Sequence, residues 1–136
     1  MRDDYLTIMA ARHMGDGRFV AAGAHQPVFI ARSAGHVDVL EPVGPWCGVT
    51  ADLDGLREFE FGLGPGDLLC LITDGVVEAS GAGGALYGED RLTELLGRAG
   101  TSSAGQALAA VFDEVERFAE TQTDDMTAVV LRREHA

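Results

Sequence analysis

Two acidic motifs in this chain could hold a divalent metal ion. One is Thr73–Gly75 and the other is Asp124–Thr127. Each lies at one end of an apolar run that predicts a β-strand, so that Asp74 follows the first strand and Asp124 precedes the second. Their carboxylate oxygens are hard ligands of the kind that Mg²⁺ and Mn²⁺ prefer.

The direction of the two predicted strands decides whether these carboxylates can meet. The first strand covers Asp67–Thr73 and the second covers Met126–Leu131. If the two are antiparallel neighbours, the end of the first lies beside the start of the second, and Asp74 and Asp124 converge. Taken alone, each motif more often reflects turn chemistry than a ligand, because Asp-Gly is common in turns and Asp-Asp is common at solvated strand starts.

Hydrophobic periodicity predicts the elements that must position the motifs. Alternating or continuous apolar runs predict further strands, while apolar residues at helical spacing predict two helices after the first motif. Antiparallel sheet with two helices on one face makes the fold class α+β, and it leaves the other face of the sheet in need of a partner. The additional strands are Tyr5–Arg12, Arg18–Ala22, Pro27–Arg32, His36–Leu40 and Leu56–Leu63, and the helices are Glu89–Arg98 and Ser103–Glu120.

Two segments are predicted to be irregular. Glu41–Asp54 is rich in proline and glycine, and we expect Trp46 to anchor it against the core. Ser80–Gly84 is glycine-rich and follows the first motif, so it is interpreted as a mobile flap over the metal, with an ordinary loop as the alternative.

Composition limits the classes of function. The chain has 136 residues, 46% of them hydrophobic, which suits one domain over residues 1–136. Its formal net charge of −12 disfavours binding to nucleic acid or to an anionic membrane surface. Cys47 and Cys70 lack zinc-ligand spacing, and neither a signal peptide nor a membrane span is recognisable, so we expect a cytoplasmic protein.

Read in order, several short motifs resemble the C-terminal part of a PPM-type (PP2C-like) protein serine/threonine phosphatase. The similarity is to the bacterial branch that includes SpoIIE-like and RsbU-like phosphatases. It extends over nearly the whole chain, which makes the ordered set more specific than any one motif. The matching segments are Tyr5–Met9, Ala22–Pro27, Gly64–Asp67, Thr73–Ala79, Leu86–Gly88, Arg91–Leu92 and Asp124–Thr127.

This resemblance implies a fold, a site and a reaction. The fold is part of an αββα sandwich, and the site is a two-metal Mn²⁺ or Mg²⁺ centre with Asp74 and Asp124 as ligands and Gly75 and Asp125 as support. The reaction is hydrolysis of phosphoserine or phosphothreonine in a protein, with no catalytic residue beyond the metal ligands. The resemblance further implies partner-switching signalling, in which the substrate is a phosphorylated anti-sigma-factor antagonist.

Two departures from the family pattern limit these implications. Gly23–Pro27 differs from the more usual Ala-Gly-His-Asn-Pro, and for His25 a loop or structural role is favoured over catalysis. The family's further metal-binding aspartates have no counterpart upstream of Tyr5, so we expect an N-terminally incomplete domain that self-associates or pairs with the missing half. Two functions therefore stay open: a phosphatase, whose activity as this chain alone is in doubt, and a catalytically inactive regulatory docking module.

Overall fold

The computed structural model describes residues 5–49, 51–122 and 124–135, and within these ranges seven strands form two antiparallel sheets. The three-stranded sheet has the order β1-β2-β5, and the four-stranded sheet has the order β4-β3-β6-β7. The strands are β1 (Met9–Gly15), β2 (Arg18–Gly23), β3 (Val28–Ala31), β4 (Val37–Leu40), β5 (Phe59–Gly62), β6 (Leu68–Ile72) and β7 (Ala128–Arg132).

Helices cover one face of the four-stranded sheet. They are α1 (Asp74–Val77), α2 (Gly88–Arg98) and α3 (Ala104–Phe118), and a 3₁₀ turn spans Ala82–Gly84. No helix in the described ranges has the length and apolar character needed to cross a membrane. The core on this side joins apolar residues of β3 and β6 to the apolar stripes of α2 and α3. Its fully buried members include Phe29, Leu68, Cys70, Leu92, Leu96, Val111 and Val115.

The three-stranded sheet covers part of the opposite face. Phe19 of β2 and Phe61 of β5 stack with ring centroids 5.1 Å apart, and they pack in one cluster with Ile30 and Leu69 of the four-stranded sheet. β6 is therefore apolar along its whole length because it is buried on both faces. The predicted α+β class, with helices on one face of antiparallel sheet, is confirmed, and the chain itself supplies much of the partner that the other face needs.

The two sheets do not pack against each other along β1 and β7, so their facing surfaces are partly exposed there. Met9 and His13 lie on the inner face of β1, and Leu71, Val129 and Leu131 lie on the facing surface of β6 and β7. Val129 is 52% exposed and Leu131 is 45% exposed. We call this gap between β1 and β7, bounded by these five residues, the open wedge.

A buried carboxylate fixes the start of β6. Asp67 is 5% exposed and accepts hydrogen bonds from the backbone N–H groups of Ser33 (2.9 Å) and Gly64 (2.8 Å) and from Nη1 of Arg32 (2.8 Å). Burial by itself would raise the pKa of Asp67, but these hydrogen bonds and the guanidinium charge outweigh it and lower the pKa. This network ties β6 to the turn after β3 at the end of the strand remote from Asp74.

Three details differ from the sequence-based expectations. The first strand begins at Met9 rather than Tyr5, and Leu6 forms only an isolated bridge with Cys47. Trp46 is 38% exposed and stacks on Tyr5 at a centroid distance of 5.0 Å instead of entering the core. The glycine-rich segment does not line the cavity that contains Asp74; Gly81 is buried against Phe118, and Ser80 bridges to Leu86 and Thr121.

Candidate metal centre

The ends of β6 and β7 bring the two acidic motifs together. The strands pair antiparallel, as the strand-polarity argument predicts, and their last regular pair is Ile72 with Ala128. Thr73 continues the ladder, because its N–H donates to the carbonyl of Thr127 at 3.0 Å. The N–H of Thr127 donates back to Oγ1 of Thr73 at 2.9 Å. This reciprocal pair closes the sheet one residue before Asp74.

Asp74, Asp124 and Asp125 line one cavity of about 500 Å³. The Asp74 side chain is 32% exposed, and both residues of the Asp124–Asp125 pair are exposed. The cavity lies at the mouth of the open wedge, so apolar side chains of both sheets form its remaining walls. Its other lining residues are Leu6, Thr7, Met9, Gln26, Pro27, Leu71, Ile72, Thr73, Thr127 and Val129.

Gly75 permits the close approach of the two motifs. A Cβ atom at this position would lie 2.5 Å from the carbonyl oxygen of Asp125 and 3.2 Å from that of Asp124. Gly75 is also buried, at the start of the short helix α1. Its predicted role as support for the site therefore has a steric basis, since only glycine leaves room for the second motif.

Gln122 connects the motifs through the backbone, a contact that the sequence analysis missed. Its Nε2 donates to the carbonyl of Gly75 at 3.3 Å and also to the carbonyl of Asp124. The N–H of Asp125 donates to Oδ1 of Asp124 at 2.8 Å, which limits rotation of that carboxylate. A polar residue two positions before the acidic pair was the only signal in the sequence, and glutamine is common in such places.

His25 also reaches the first motif. Its Nε2 lies 3.3 Å from Oδ2 of Asp74, and its ring meets Trp46 edge-on at a centroid distance of 5.3 Å. From the sequence a loop or structural role is expected for His25, and its position beside Asp74 is not predicted. The pairing of β3 with β6 could have revealed it, because the start of β3 lies beside the end of β6.

A further group of acidic residues lies near His25. Burial and the neighbouring carboxylates of Glu41 and Asp90 raise the pKa of Glu89 at the start of α2, while His25 acts on it in the opposite sense. His25 is therefore near a second group of carboxylates in addition to that of Asp74. Such a field is favourable for a cation and unfavourable for additional anions.

The donor set fits one hard divalent cation. Carboxylate oxygens suit Mg²⁺ and Mn²⁺, and Mg²⁺ is commonly held by one or two carboxylates while water and substrate oxygens complete its shell. Within residues 5–49, 51–122 and 124–135, however, no group of three or more histidine, cysteine, aspartate or glutamate side chains is arranged to hold a metal ion. The described residues thus bring carboxylates of both motifs to one cavity, and the ligand roles of Asp74 and Asp124 stay predictions.

Sequence comparison gives the class to which this fold and site belong. Residues 2–134 match the family described as Stage II sporulation protein E (SpoIIE). The chain therefore belongs to the SpoIIE family of PP2C-like phosphatase domains, which confirms the resemblance inferred from its motifs.

Two curated relatives are similar to the chain in sequence. Phosphoserine phosphatase RsbU of Bacillus subtilis (strain 168) is 31% identical over 133 residues, which cover 95% of this chain and 39% of RsbU. Protein IcfG of Synechocystis sp. is 31% identical over 125 residues, which cover 88% of this chain and 19% of IcfG. The chain thus spans well under half the length of either relative.

The solved structures show the same fold at low sequence identity. The phosphatase domain of SpoIIE from Bacillus subtilis, in a crystal presoaked with Mn, aligns with a TM-score of 0.72 and 20% identity over 96% of this chain and 57% of that one. The RsbU and RsbW domains of Rv1364c from Mycobacterium tuberculosis align with a TM-score of 0.78 and 19% identity over 94% of this chain and 36% of that one.

Proposed function

We propose that the chain is the C-terminal part of a metal-dependent phosphatase domain that acts on phosphoserine or phosphothreonine in proteins. The observation that carries this proposal is the convergence of Asp74 and Asp124 on one cavity where β6 and β7 join. Membership of the SpoIIE family supports the reaction class. The single-domain interpretation of residues 1–136 as an N-terminally incomplete unit is part of the same proposal.

The cavity residues have two proposed roles, which are to bind the metal ion and to support its ligands. Asp74 and Asp124 would hold the Mn²⁺ or Mg²⁺ ion, Gly75 leaves space for the acidic pair, and Asp125 fixes the Asp124 carboxylate through its N–H. When bound, such an ion polarises a phosphoryl oxygen and lowers the pKa of a coordinated water. The net negative charge of the cavity means that a phosphate group needs the cation in order to enter it.

A thiol nucleophile at Cys70 is not part of the proposed chemistry. Cys70 is fully buried within β6, and burial raises the pKa of its thiol to about 12. A buried thiol of this kind is neutral at physiological pH and unreactive. Its position on the helix-facing side of the sheet also separates it from the cavity.

The substrate that we propose is a phosphorylated anti-sigma-factor antagonist in a cytoplasmic partner-switching pathway. Support comes from the similarity to RsbU, a phosphoserine phosphatase, and from the structural likeness to the linked RsbU and RsbW domains. Asp124 and Asp125 are exposed at the cavity, which suits a phosphorylated residue carried on a folded protein.

The second candidate function is a phosphatase-like docking module without turnover. One observation favours it: the described residues provide no cluster of three or more metal-binding side chains. Such a module would bind a signalling protein through the same face of the molecule and would do so in the absence of a divalent ion.

Calorimetric titration with Mn²⁺, combined with hydrolysis of p-nitrophenyl phosphate, separates the two functions. We expect Mn²⁺ binding that is abolished in Asp74→Ala and Asp124→Ala and retained in Asp113→Ala, whose side chain is exposed on α3 outside the cavity. Hydrolysis with the same dependence supports the enzyme. Mn²⁺ binding that survives both cavity substitutions would contradict the proposed ligands, and metal-independent partner binding without hydrolysis would favour the docking module.

A further inference from the structure

We propose that His25 is a positioning residue, which holds the carboxylate of Asp74 in the orientation that a divalent cation requires. This inference rests on the proposed function, because it takes Asp74 as a ligand. It assigns to His25 a contact role in the metal centre in place of a role confined to its own loop.

Strand pairing brings the two side chains together. β3 and β6 are antiparallel, with Val28 opposite Leu71, so the turn before β3 lies at the same end of the sheet as Asp74, which follows β6. The Nε2 atom of His25 lies 3.3 Å from Oδ2 of Asp74. The contact therefore joins the turn before β3 to the start of α1.

The backbone at His25 has a conformation that non-glycine residues rarely adopt. Its φ angle is +78°, and the N–H of Gln26 donates to the carbonyl of Ala24 at 3.0 Å, which closes a tight turn around His25. A turn of this kind is strained for an L-residue with a large side chain. Strain that the surrounding structure maintains is concentrated at functional sites, and here the strained turn places the imidazole beside Asp74.

Two aromatic rings support the imidazole from behind. Trp46 meets the ring of His25 edge-on at a centroid distance of 5.3 Å, and Tyr5 stacks on Trp46 at 5.0 Å. Paired backbone hydrogen bonds between Leu6 and Cys47, of 2.8 and 2.9 Å, fix the two segments that carry Tyr5 and Trp46. The histidine is thus held on one side by aromatic packing and on the other by the carboxylate.

The consequence for cation binding is pre-organisation. A carboxylate that is already oriented loses less conformational freedom when it binds an ion than a freely rotating one. Residues that hold a ligand in this way commonly change metal affinity by about 10-fold to 100-fold when they are replaced. The opposite possibility is competition, in which the imidazole occupies the oxygen that the ion needs, and removal of His25 then strengthens binding.

The variants His25→Phe and His25→Gln test the proposal at a fixed pH. Phenylalanine keeps a ring against Trp46 and removes the nitrogen, whereas glutamine replaces the ring but places an amide nitrogen near the position of Nε2. Both replacements are L-residues with a side chain, so the strain of the positive φ angle at position 25 is similar in the two variants. Water-proton relaxation measures Mn²⁺ binding to the chain, and carboxyl-carbon NMR relaxation of Asp74 measures the mobility of its side chain without metal.

We expect His25→Phe to weaken Mn²⁺ binding by about tenfold and to make the Asp74 carboxylate more mobile. His25→Gln should restore most of the affinity and of the order, although its thermal midpoint should fall because the contact with Trp46 is lost. A purely structural role would instead make affinity follow stability in the two variants.

An Asp74 carboxylate as ordered in His25→Phe as in the wild type would overturn the proposal, and so would unchanged or tighter Mn²⁺ binding in that variant. The variant Asp74→Ala distinguishes failure of the positioning role of His25 from failure of the ligand role of Asp74. If Asp74→Ala weakens Mn²⁺ binding while His25→Phe does not, only the role of His25 fails. If Asp74→Ala binds Mn²⁺ like the wild type, the proposed ligand fails and the role of His25 fails with it.

Discussion

Gly75 gives the most specific steric prediction at the scale of single residues. The added Cβ of Gly75→Ala would meet the Asp125 carbonyl oxygen at 2.5 Å, so the Asp124–Asp125 backbone must move. Overpacking of this kind typically costs about 1–3 kcal/mol. We expect a lower free energy of unfolding and weaker Mn²⁺ binding, measured by urea denaturation and by calorimetry.

Gly105→Ala is the matched control for that substitution. Gly105 lies within α3, and a Cβ there has no heavy atom within 4 Å. Alanine in a helix is more favourable than glycine by up to about 1 kcal/mol, so this variant should be at least as stable as the wild type. Equal Mn²⁺ affinity in Gly75→Ala and Gly105→Ala would show that the close approach at Gly75 is irrelevant to the site.

Asp67 predicts a pH dependence of stability. Because its pKa in the folded chain lies below its ordinary value of 3.8, its contribution to stability is present above that value and is lost as the pH falls through the folded-state pKa. Asp67→Asn should lower the free energy of unfolding at neutral pH by about 1.5–3 kcal/mol, since hydrogen bonds to a charged acceptor are replaced. The difference between the two proteins should shrink towards about pH 3. Urea unfolding at both pH values measures it, and a difference that is independent of pH would contradict this account.

Individual residues of the site were predictable to the extent that they stand next to a recognisable strand. Asp74 and Asp124 could be placed near each other because each flanks an apolar run, and their convergence required only that these two runs pair antiparallel, as they do. The contacts of His25 and Gln122 were not predicted, because that of His25 needs a positive φ angle in a turn and that of Gln122 needs a side chain to reach a distant backbone carbonyl, and local composition encodes neither.

Thr73 joins the ends of β6 and β7 by hydrogen bonds. Its hydroxyl accepts the N–H of Thr127 at 2.9 Å, and its own N–H donates to the Thr127 carbonyl at 3.0 Å. Thr73→Val removes the acceptor while keeping the shape, which should cost about 0.5–1.5 kcal/mol. We expect faster hydrogen exchange at the Thr127 amide and weaker Mn²⁺ binding, because the strand ends that carry Asp74 and Asp124 separate more easily.

Thr93→Val is the corresponding control, since Thr93 lies in the middle of α2 and outside the cavity. It should leave exchange at Thr127 unchanged. If Thr73→Val also leaves that exchange unchanged, the side-chain hydrogen bond does not hold the strands together.

Regular elements followed from their periodicity, whereas short and irregular ones did not. The alternation of Phe59, Phe61 and Leu63 with exposed glutamates predicted a strand, and the structure has β5 there. The four-residue helix α1 was missed because a single turn has too few positions to show a period. Trp46 was expected to anchor its irregular segment against the core, but it is 38% exposed and its ring contacts Tyr5 and His25.

The open wedge gives a prediction for the whole molecule. Val129 and Leu131 present exposed apolar side chains on β7, an edge strand of the described sheet, and both features favour association with another chain. We expect multi-angle light scattering to show an average mass that rises with protein concentration. Leu131→Lys should suppress the rise, because a charge in the wedge opposes its burial.

Val39→Lys provides the comparison for this experiment. Val39 is 37% exposed on β4, the edge strand at the other side of the same sheet. Lysine there should leave the concentration dependence unchanged. A constant monomer mass for the wild type over a wide concentration range would contradict the prediction, and suppression by both lysines alike would show that the wedge is not the surface responsible.

Because Met9, Leu71 and Val129 belong both to the open wedge and to the lining of the metal cavity, assembly and access to the carboxylates are geometrically linked. Any polypeptide that fills the gap between the sheets must also build a wall around Asp74 and Asp124, excluding bulk water from one flank of the ion that we propose. Exclusion of water strengthens every charge interaction inside. Binding of a polypeptide to the apolar open wedge would thereby change the strength of metal binding at the acidic cavity.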